Sequence, residues 1–432
     1  LTSISIPDSV MSIGGSAFYG CSNLTDIKLS GSITNIGYST FSNCTGLSDI
    51  TIPDSVKSIG YYAFYNCTSL TYITMPDSMT SIGDDAFCDC KALIDIRIPN
   101  GISEIGEYTF SGCVGLKNVT IPNSVTRIYE YAFSRCSGLE NVVIPDSVTY
   151  MDGNVFLGCT GLTSVTLSNS LGSISEYTFS GCTELRSIVI PANVKSIFWD
   201  AFYNCSKLTS ITVSDNLYDI WSGAFDGCNI EEIIIADGSE EISPAMLMCK
   251  DTLKRVVIPD SLTRINGDAF HDCKSLCEII VGDNNKSYSV VNGVLFNKDH
   301  TRLIKYPVTE SGVITVADGV TEIYYGAFEN CTDITDIAIP ASVTVIYSDA
   351  FRNCKSITSM VIPDNVKAIY ARAFYGCTGL TKVVLPSGLG SIYEGMFSEC
   401  TSLTDVTIPD GVSMVDMFVF KNCTSLRNIT IP

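Results

Sequence analysis

A comb of cysteines runs along the chain and limits its fold more than any other feature. Ten cysteines from Cys21 to Cys228 stand 23 residues apart without exception, Cys249 and Cys273 follow at slightly altered spacing, and five from Cys331 to Cys423 resume the spacing of 23. A fixed period of about 20 to 50 residues is the signature of stacked structural repeats. The 432 residues are therefore predicted to form one repeated coil rather than two or three unrelated domains.

Each repeat carries apolar residues at fixed positions. In "CTSLTYITMPDSMTSIGDDAFCDC", residues 67–90, the pattern L-x-x-I-x-M ends in strict alternation, which predicts a short strand with one buried face. Pro76 then removes a backbone donor and ends the strand, and "DS" favours a turn. No segment has a long 3.6-residue period, so extended helices are not expected, and "AF" is predicted to form at most a short helical turn.

A single coil cannot bury its apolar side alone, whereas stacked copies can. Equivalent residues of successive coils would then lie about 4.8 Å apart, which is the spacing of strands in a sheet. The strand pattern occurs nineteen times when the copy that begins at Leu1 and one irregular repeat are included. The sequence therefore predicts a repeat solenoid of about 19 coils, residues 1–432, with a parallel sheet.

The repeat resembles the BspA-like leucine-rich repeat family, whose units read C-x-x-L-x-x-I-x-I-P-x-x-V-x-x-I-G-x-x-A-F-x-x-C. The resemblance covers essentially the whole chain and is specific in "IPDSV" at Ile6–Val10, Ile52–Val56 and Ile144–Val148. It implies a right-handed leucine-rich-repeat superhelix of the α/β horseshoe class, dominated by β-structure, with the parallel sheet on the concave side. It also implies a secreted or surface-exposed, non-enzymatic protein of bacterial or protist type that engages other proteins or cells.

One repeat is interrupted by an insertion. The interval from Cys273 to Cys331 is 58 residues, which is 12 more than two periods. The stretch "VVNGVLFNKDHTRLIKYP" reads as a β-hairpin with strands around Val294–Phe296 and Arg302–Tyr306. We expect residues 282–313 to form an irregular unit that bulges from the solenoid.

The net charge of −20 disfavours a polyanionic partner. No Lys/Arg run is present, so nucleic-acid binding is not expected. No apolar run approaches the ~18 residues that cross a bilayer, so no membrane insertion is expected. The chain opens with "LTSISIP" and closes with "LRNITIP" at the same phase of the repeat. We therefore expect a piece of a longer protein whose signal and anchor lie elsewhere.

The cysteines are expected to be unbridged thiols. Each cysteine of the comb follows Phe by three residues at a fixed inward position, where a free thiol acts as a small apolar residue and a weak donor. Bridged Cβ atoms must lie ~3.8 Å apart, so a disulfide would pinch coils stacked at ~4.8 Å. Cys88 and Cys277 fall outside the comb and are expected to be more exposed.

No motif for catalysis or for cofactor binding is evident. The two histidines are His271 and His300, and "HDC" at His271–Cys273 pairs a variable position with a comb cysteine. No phosphate loop, H-E-x-x-H or G-x-S-x-G is present. Two histidines make zinc improbable, and the aspartates that follow proline suit turns better than a weak Ca²⁺ site. The sequence predicts no enzyme, no cofactor and no metal.

The three-residue window after the second isoleucine of each repeat, "GDD" at residues 83–85, carries an aromatic bias in later repeats. In the first five repeats the leading position is glycine, whereas later repeats place aromatic residues there or nearby. Stacking would align them in a stripe, and rings with a polar tip are what interfaces concentrate. Equally, the rings could pack on one another and close the coil edge. The partner-binding candidates are Tyr129, Tyr131, Trp199, Trp221, Tyr324, Tyr325, Tyr347, Tyr370 and Tyr393.

Three functions fit these observations. The first is a secreted or surface-displayed adhesion and recognition module whose partner is a protein, such as a host extracellular or cell-surface protein. The second is a passive stalk that presents another domain, because a spacer needs no varied face. The third is carbohydrate binding through the aromatic stripe.

Overall fold

A computed structural model describes residues 1–430, which form short β-strands joined by turns and contain no helix. No helix among these residues has the length and apolarity that crossing a membrane requires. The chain divides into two compact units, residues 1–230 and the residues from 231 on. Each unit is a parallel β-solenoid, and each is described by itself.

The opening coil of the first unit contains one strand, and each later coil contains two, which we call its first and second strand. The ten first strands are Ser3–Ser5, Asp26–Lys28, Asp49–Thr51, Tyr72–Thr74, Asp95–Arg97, Asn118–Thr120, Asn141–Val143, Ser164–Thr166, Ser187–Val189 and Ser210–Val213. The nine second strands are Asn35–Ile36, Ser58–Ile59, Ser81–Ile82, Glu104–Ile105, Arg127–Ile128, Tyr150–Met151, Ser173–Ile174, Ser196–Ile197 and Asp219–Ile220.

Neighbouring strands pair in parallel, and each residue lies opposite the residue 23 positions later in the chain. Ile50 lies opposite Ile73 in the first strands, and Ile59 opposite Ile82 in the second strands. The central residue of a first strand points inward while its two neighbours are exposed, as in Asp49–Thr51. The alternation in the sequence therefore places one side chain per strand in the core.

Two ladders fill the core of the first unit. The phenylalanines that precede the comb cysteines by three residues stack face to face in successive coils, with ring centroids 5.3 Å apart between Phe110 and Phe133 and 5.6 Å between Phe133 and Phe156. Beside them, the Cys136 thiol donates to the carbonyl of Phe110, 26 residues earlier, at 3.1 Å. The same bond recurs at other cysteines of the comb, such as Cys159. Each coil is thereby tied to the preceding one at the centre of the core.

The cysteines are free thiols in this structure. The expectation for Cys88 was wrong: although it lies outside the comb, it is buried. Burial raises its pKa to about 12. Cys277, also outside the comb, is half-buried.

The second unit repeats this pattern. Its first strands are Glu232–Ile235, Arg255–Ile258, Glu278–Val281, Gly312–Thr315, Ile334–Ala338, Ser359–Val361, Lys382–Val384, Asp405–Thr407 and Asn428–Thr430. Its second strands are Glu241–Ile242, Arg264–Ile265, Glu322–Ile323, Val345–Ile346, Ala368–Ile369, Ser391–Ile392 and Met414–Val415. Phenylalanines stack here as well, with 5.3 Å between the rings of Phe328 and Phe351.

The insertion forms three antiparallel strands, Tyr288–Val291, Val294–Asn297 and Arg302–Lys305. The first of these was not predicted from the sequence. Asn292 and Gly293 turn the chain between the first two strands with positive φ, as a two-residue hairpin requires. The last strand is part of the solenoid sheet, because it pairs in parallel with Glu322–Ile323. The insertion is thus joined to the coil edge through its third strand.

The interrupted coil lacks the usual "AF" and comb cysteine. The Tyr306 ring takes the place of the missing phenylalanine and stacks on Phe328 at 4.9 Å. Cys331 has no phenylalanine carbonyl at its usual position, and its Sγ lies 3.7 Å from the carbonyl oxygen of Pro307. The core therefore continues through the insertion with substituted residues.

Candidate functional site

Four tyrosines form a continuous stack in the second unit, which we call the tyrosine stripe. Tyr324, Tyr347, Tyr370 and Tyr393 each follow directly after a second strand. Parallel pairing of those strands places the first three in file, and the Tyr393 ring continues the file by stacking on Tyr370. Successive ring centroids are 5.3, 5.6 and 5.5 Å apart. Three of these rings are half-buried and Tyr370 is 37% exposed. The stripe therefore combines packing between its members with an accessible edge.

Charged groups border the start of the stripe. The guanidinium of Arg302 lies 4.9 Å above the Tyr324 ring, and its Nε donates to the Glu322 carboxylate at 2.6 Å. Tyr325 packs against Tyr347 with centroids 4.9 Å apart. Burial raises the pKa of Tyr347 and Tyr325, so both stay protonated and keep a hydroxyl donor at neutral pH. The structure thus brings together the five candidates of this unit.

The candidates of the first unit fall into separate groups. Tyr131 stacks on Tyr108 at 4.6 Å, whereas the Tyr129 hydroxyl donates to Glu104 at 3.5 Å. Farther along the chain, Trp199 meets Trp221 edge to face at 4.5 Å.

The two tryptophans differ in their surroundings. The indole N–H of Trp221 donates to Asp219 at 2.7 Å, and Trp199 remains 53% exposed. An exposed indole beside an anchored one is an arrangement suited to contact with another molecule.

Four tyrosines of the first unit adopt left-handed backbone. Tyr62, Tyr108, Tyr131 and Tyr177 have φ of 57°, 53°, 58° and 54°. Asparagine and aspartate tolerate this region, and Asn154 occupies it at the same place in its coil. A tyrosine there costs about 1–2 kcal/mol of backbone strain. The packing between rings, as between Tyr108 and Tyr131, offsets part of that cost.

The early glycines are explained by close approach of the backbone. A Cβ added to Gly83 would lie 2.6 Å from the Tyr61 nitrogen and 2.8 Å from the Gly60 carbonyl carbon. A Cβ on Gly14, at the same place in the first coil, would meet nothing within 4 Å. The absence of side chains leaves an open polar cleft of about 390 Å³, bordered by Tyr61 and Tyr129.

The sequence analysis left several exposed tyrosines out of its candidates. Tyr38 and Tyr61 follow the early glycines and are 57% and 55% exposed. Tyr72 and Tyr218 are similarly exposed. A count by position in the repeat would have found Tyr38 and Tyr61, whereas Tyr72 and Tyr218 share no position.

A buried group of charges lies beside the insertion. The Glu329 side chain is fully buried, and its Oε2 accepts the Asp272 backbone N–H at 3.1 Å. His271 Nδ1 lies 3.1 Å from Glu329 Oε1, and Arg352 Nε lies 3.5 Å from the same oxygen. The Lys305 ammonium donates to the Gly326 carbonyl at 2.9 Å.

This group was not visible in the sequence, because 58 residues separate His271 from Glu329. Burial raises the pKa of Glu329. His271, Asp272 and Glu329 are a set whose ligand atoms lie within 4.8 Å of one another. Because Lys305 and Arg352 already place two positive charges beside Glu329, a divalent cation would be repelled there. The arrangement suits an internal ion-pair network that holds the inserted coil.

The turn aspartates act within the stack. Asp146 Oδ1 accepts the Asn169 backbone N–H at 2.8 Å, and Asp364 Oδ1 accepts that of Ser387 at 2.9 Å. Each bond reaches the next coil. Their oxygens therefore satisfy backbone donors, which accounts for these residues without a calcium ion.

The geometry at His271 and Cys273 does not suit nucleophilic catalysis. Burial raises the pKa of the Cys273 thiol to about 11, so it stays protonated at neutral pH. The His271 Nδ1 atom faces Glu329. Both residues serve the packing around the insertion.

The repeat, the parallel coils and the two core ladders define a leucine-rich-repeat solenoid. The chain belongs to the BspA-type leucine-rich repeat family, whose model matches in six copies over residues 1–114, 80–209, 172–297 and 321–432. This is a repeat family, and it indicates no enzymatic activity. No curated protein matches the chain.

Solved structures of bacterial leucine-rich repeat proteins are similar to the chain. One from Bacteroides ovatus is 27% identical, with 88% of this chain and 94% of that chain covered and a TM-score of 0.49. One from Eubacterium ventriosum is 22% identical, covering 66% and 85%, with a TM-score of 0.42. A leucine-rich cell surface protein from Faecalibacterium prausnitzii is 24% identical, covering 89% and 87%, with a TM-score of 0.35.

Proposed function

We propose that the chain is a non-enzymatic recognition module, displayed at the cell surface or secreted, that binds a protein ligand through its aromatic positions. The tyrosine stripe is the observation that carries this proposal. Its rings are held in file by strand pairing and by contact between neighbouring rings, so they present a preformed surface at little cost in conformational entropy. The family to which the chain belongs supports the surface location.

The packing of the rings also closes the coil edge, and this role does not exclude binding. Each tyrosine of the stripe buries part of its ring against its neighbours and leaves its remaining surface and its hydroxyl to a partner. Interfaces concentrate their binding energy in rigid, partly buried aromatic anchors of this kind. Trp199 and Trp221 in the first unit, with Tyr129 and Tyr131, are proposed as further contact residues of the same type.

The test begins with host extracellular proteins captured by the full chain and identified. Each purified ligand is then titrated against the wild type and against a variant with Tyr347, Tyr370 and Tyr393 replaced by alanine. Loss of hot-spot residues weakens binding by about 2 kcal/mol or more each, which is ~30-fold. The variant must keep the wild-type circular dichroism spectrum, because the rings also contribute packing.

Tyr150→Ala is the matched control, since Tyr150 is an exposed tyrosine of the first unit that belongs to none of the aromatic groups. If the triple variant binds the ligand with the affinity of the wild type, the tyrosine stripe is not the binding surface. A chain that captures no protein at all favours the passive stalk.

A further inference from the structure

The insertion encloses a pocket of about 250 Å³ between its strands and the turn after Gly312–Thr315. We call this the hairpin pocket. Phe296, Leu303 and Val316 supply an apolar lining, and all three side chains are buried. Asn292, His300 and Asp318 also line it and are exposed, so the polar groups lie at its mouth. An apolar interior with a few convergent polar groups is the usual composition of a binding pocket.

Two of the polar groups have no partner inside the described chain. Within residues 1–430, neither the Asn292 amide nor the Asp318 carboxylate has a hydrogen-bond or ion-pair partner among the other side chains or the backbone. His300 differs, because its Nε2 lies 2.9 Å from the Ser289 hydroxyl.

Asp318 also departs from the other turn aspartates. Asp364 and Asp146 use their carboxylates to bind the next coil, at 2.9 and 2.8 Å. Asp318 stands at the equivalent turn, yet its carboxylate is left at the pocket mouth. The pocket thus presents a negative charge and an amide oxygen to an incoming donor.

The size of the pocket limits its occupant. Sites for small molecules usually span ~300–1,000 Å³, so 250 Å³ falls below this range. A single large side chain fits the available space better than a cofactor or a drug-sized molecule. The apolar lining favours an aromatic ring, and the acceptors at the mouth favour a ring that carries a donor, as in tryptophan or tyrosine.

The negative charge of the chain indicates which residues should flank that side chain in the partner. The chain carries a net charge of −20, and the pocket contains one carboxylate and no lysine or arginine. A segment with lysine or arginine next to the aromatic residue would be attracted, whereas an acidic segment would be repelled.

We propose that the hairpin pocket receives one tryptophan or tyrosine side chain from a basic segment of a protein ligand. This inference rests on the proposed function and names a second contact point, separate from the tyrosine stripe. The aromatic side chain enters the apolar interior, and its N–H or O–H donates to Asp318 or Asn292.

The experiment uses a phage library of random twelve-residue peptides selected on the full chain. We expect enrichment of peptides that contain tryptophan or tyrosine next to lysine or arginine. Ala317→Trp blocks the pocket from outside, because Ala317 lines it and is exposed. The selected peptides should bind this variant at least tenfold more weakly than the wild type.

Ala341→Trp is the matched control. Ala341 is exposed, occupies the corresponding turn of the next coil and does not line the pocket. This variant should bind the peptides as the wild type does. Asp318→Asn should weaken binding of the basic peptides about three- to tenfold while leaving the fold intact.

Peptides without the aromatic and basic pattern, or equal binding to Ala317→Trp and the wild type, would overturn the proposal. If the pocket fails in this way while a captured protein still depends on the tyrosine stripe, the proposed function stands. If the chain selects no peptide and captures no protein, both fail.

Discussion

Replacing Phe133 with alanine tests the phenylalanine ladder. Phe133 is fully buried and stacks on Phe110 at 5.3 Å and on Phe156 at 5.6 Å. A core Phe→Ala change costs about 3–5 kcal/mol, including the cavity that it leaves. Both ring contacts, each worth about 0.5–1.5 kcal/mol, are lost with it. We therefore expect a loss near the upper end, about 4–5 kcal/mol.

Phe18→Ala is the control at the same position of the repeat. Phe18 is half-buried and stacks on Phe41 alone, at 5.4 Å. With one ring contact and partial burial, its loss should be about half as large, roughly 2 kcal/mol. Urea unfolding of the full chain, followed by circular dichroism and fitted with nearest-neighbour coupling, measures both changes. Equal losses for the two variants would refute a ladder in which stability depends on neighbours on both sides.

Three further predictions follow from contacts in the two units. The thiol of Cys159 has a pKa of 9.0 in the unfolded chain, and burial raises this pKa to about 12 in the fold. The buried, protonated thiol therefore contributes fully to stability below pH 9, and this contribution is lost between pH 9 and 12. The melting temperature, measured from pH 8 to 11, should decrease as the pH rises above 9. The decrease should be smaller in Cys159→Ala than in the wild type. Gly83→Ala should cost about 1–3 kcal/mol, because the added Cβ would clash with the backbone of the preceding coil. Gly14→Ala, where the Cβ meets open space, should be neutral or stabilising by about 0.4–1 kcal/mol. Equal midpoints of urea unfolding for the two variants would contradict the close approach at Gly83. Lys305→Met should cost about 3 kcal/mol, the lower end for a broken buried pair, because it removes one of the two positive charges beside the buried Glu329 while Arg352 remains. Adding Glu329→Gln should restore part of that loss in thermal unfolding. A double variant no more stable than the single one would count against the ion-pair network.

The regular part of the fold could be predicted because the same pattern of apolar residues recurs in each repeat. The comb spacing and the alternation around Ile73 predict the first strand of each coil, and the structure confirms it, whereas the two-residue second strands were not predicted. The thiol bond from Cys136 to Phe110 could not be predicted, since it depends on how far each coil is shifted along the next. Cys88 was wrongly expected to be exposed, because a cysteine outside the comb carries no periodic evidence about the direction of its side chain.

The irregular part could be predicted only in outline. Val294–Phe296 and Arg302–Tyr306 carry a hairpin pattern, but the strand Tyr288–Val291 was missed even though the hairpin signal Asn292–Gly293 follows it. The contact between His271 and Glu329 depends on the loss of the usual "AF" segment from the interrupted coil between them, which no local pattern reveals. The hairpin pocket escaped the sequence analysis for the same reason.

The candidate site could be predicted as a set of positions, not as a set of contacts. The window after the second strand identifies Tyr347 and Tyr370, because parallel pairing must align them. It could not separate the stacked tyrosines from Trp199, whose exposure depends on its neighbour Trp221. Whether these rings bind a protein remains a prediction.

A crystal structure of the chain would measure the stacking of the coils most directly. The account predicts that the Cα atoms of Cys113, Cys136 and Cys159 lie in file at about 4.8 Å intervals. It also predicts that the Cys136 Sγ lies within hydrogen-bonding distance of the Phe110 carbonyl oxygen, near 3.1 Å. Successive cysteines far apart, or bridged to one another, would contradict it.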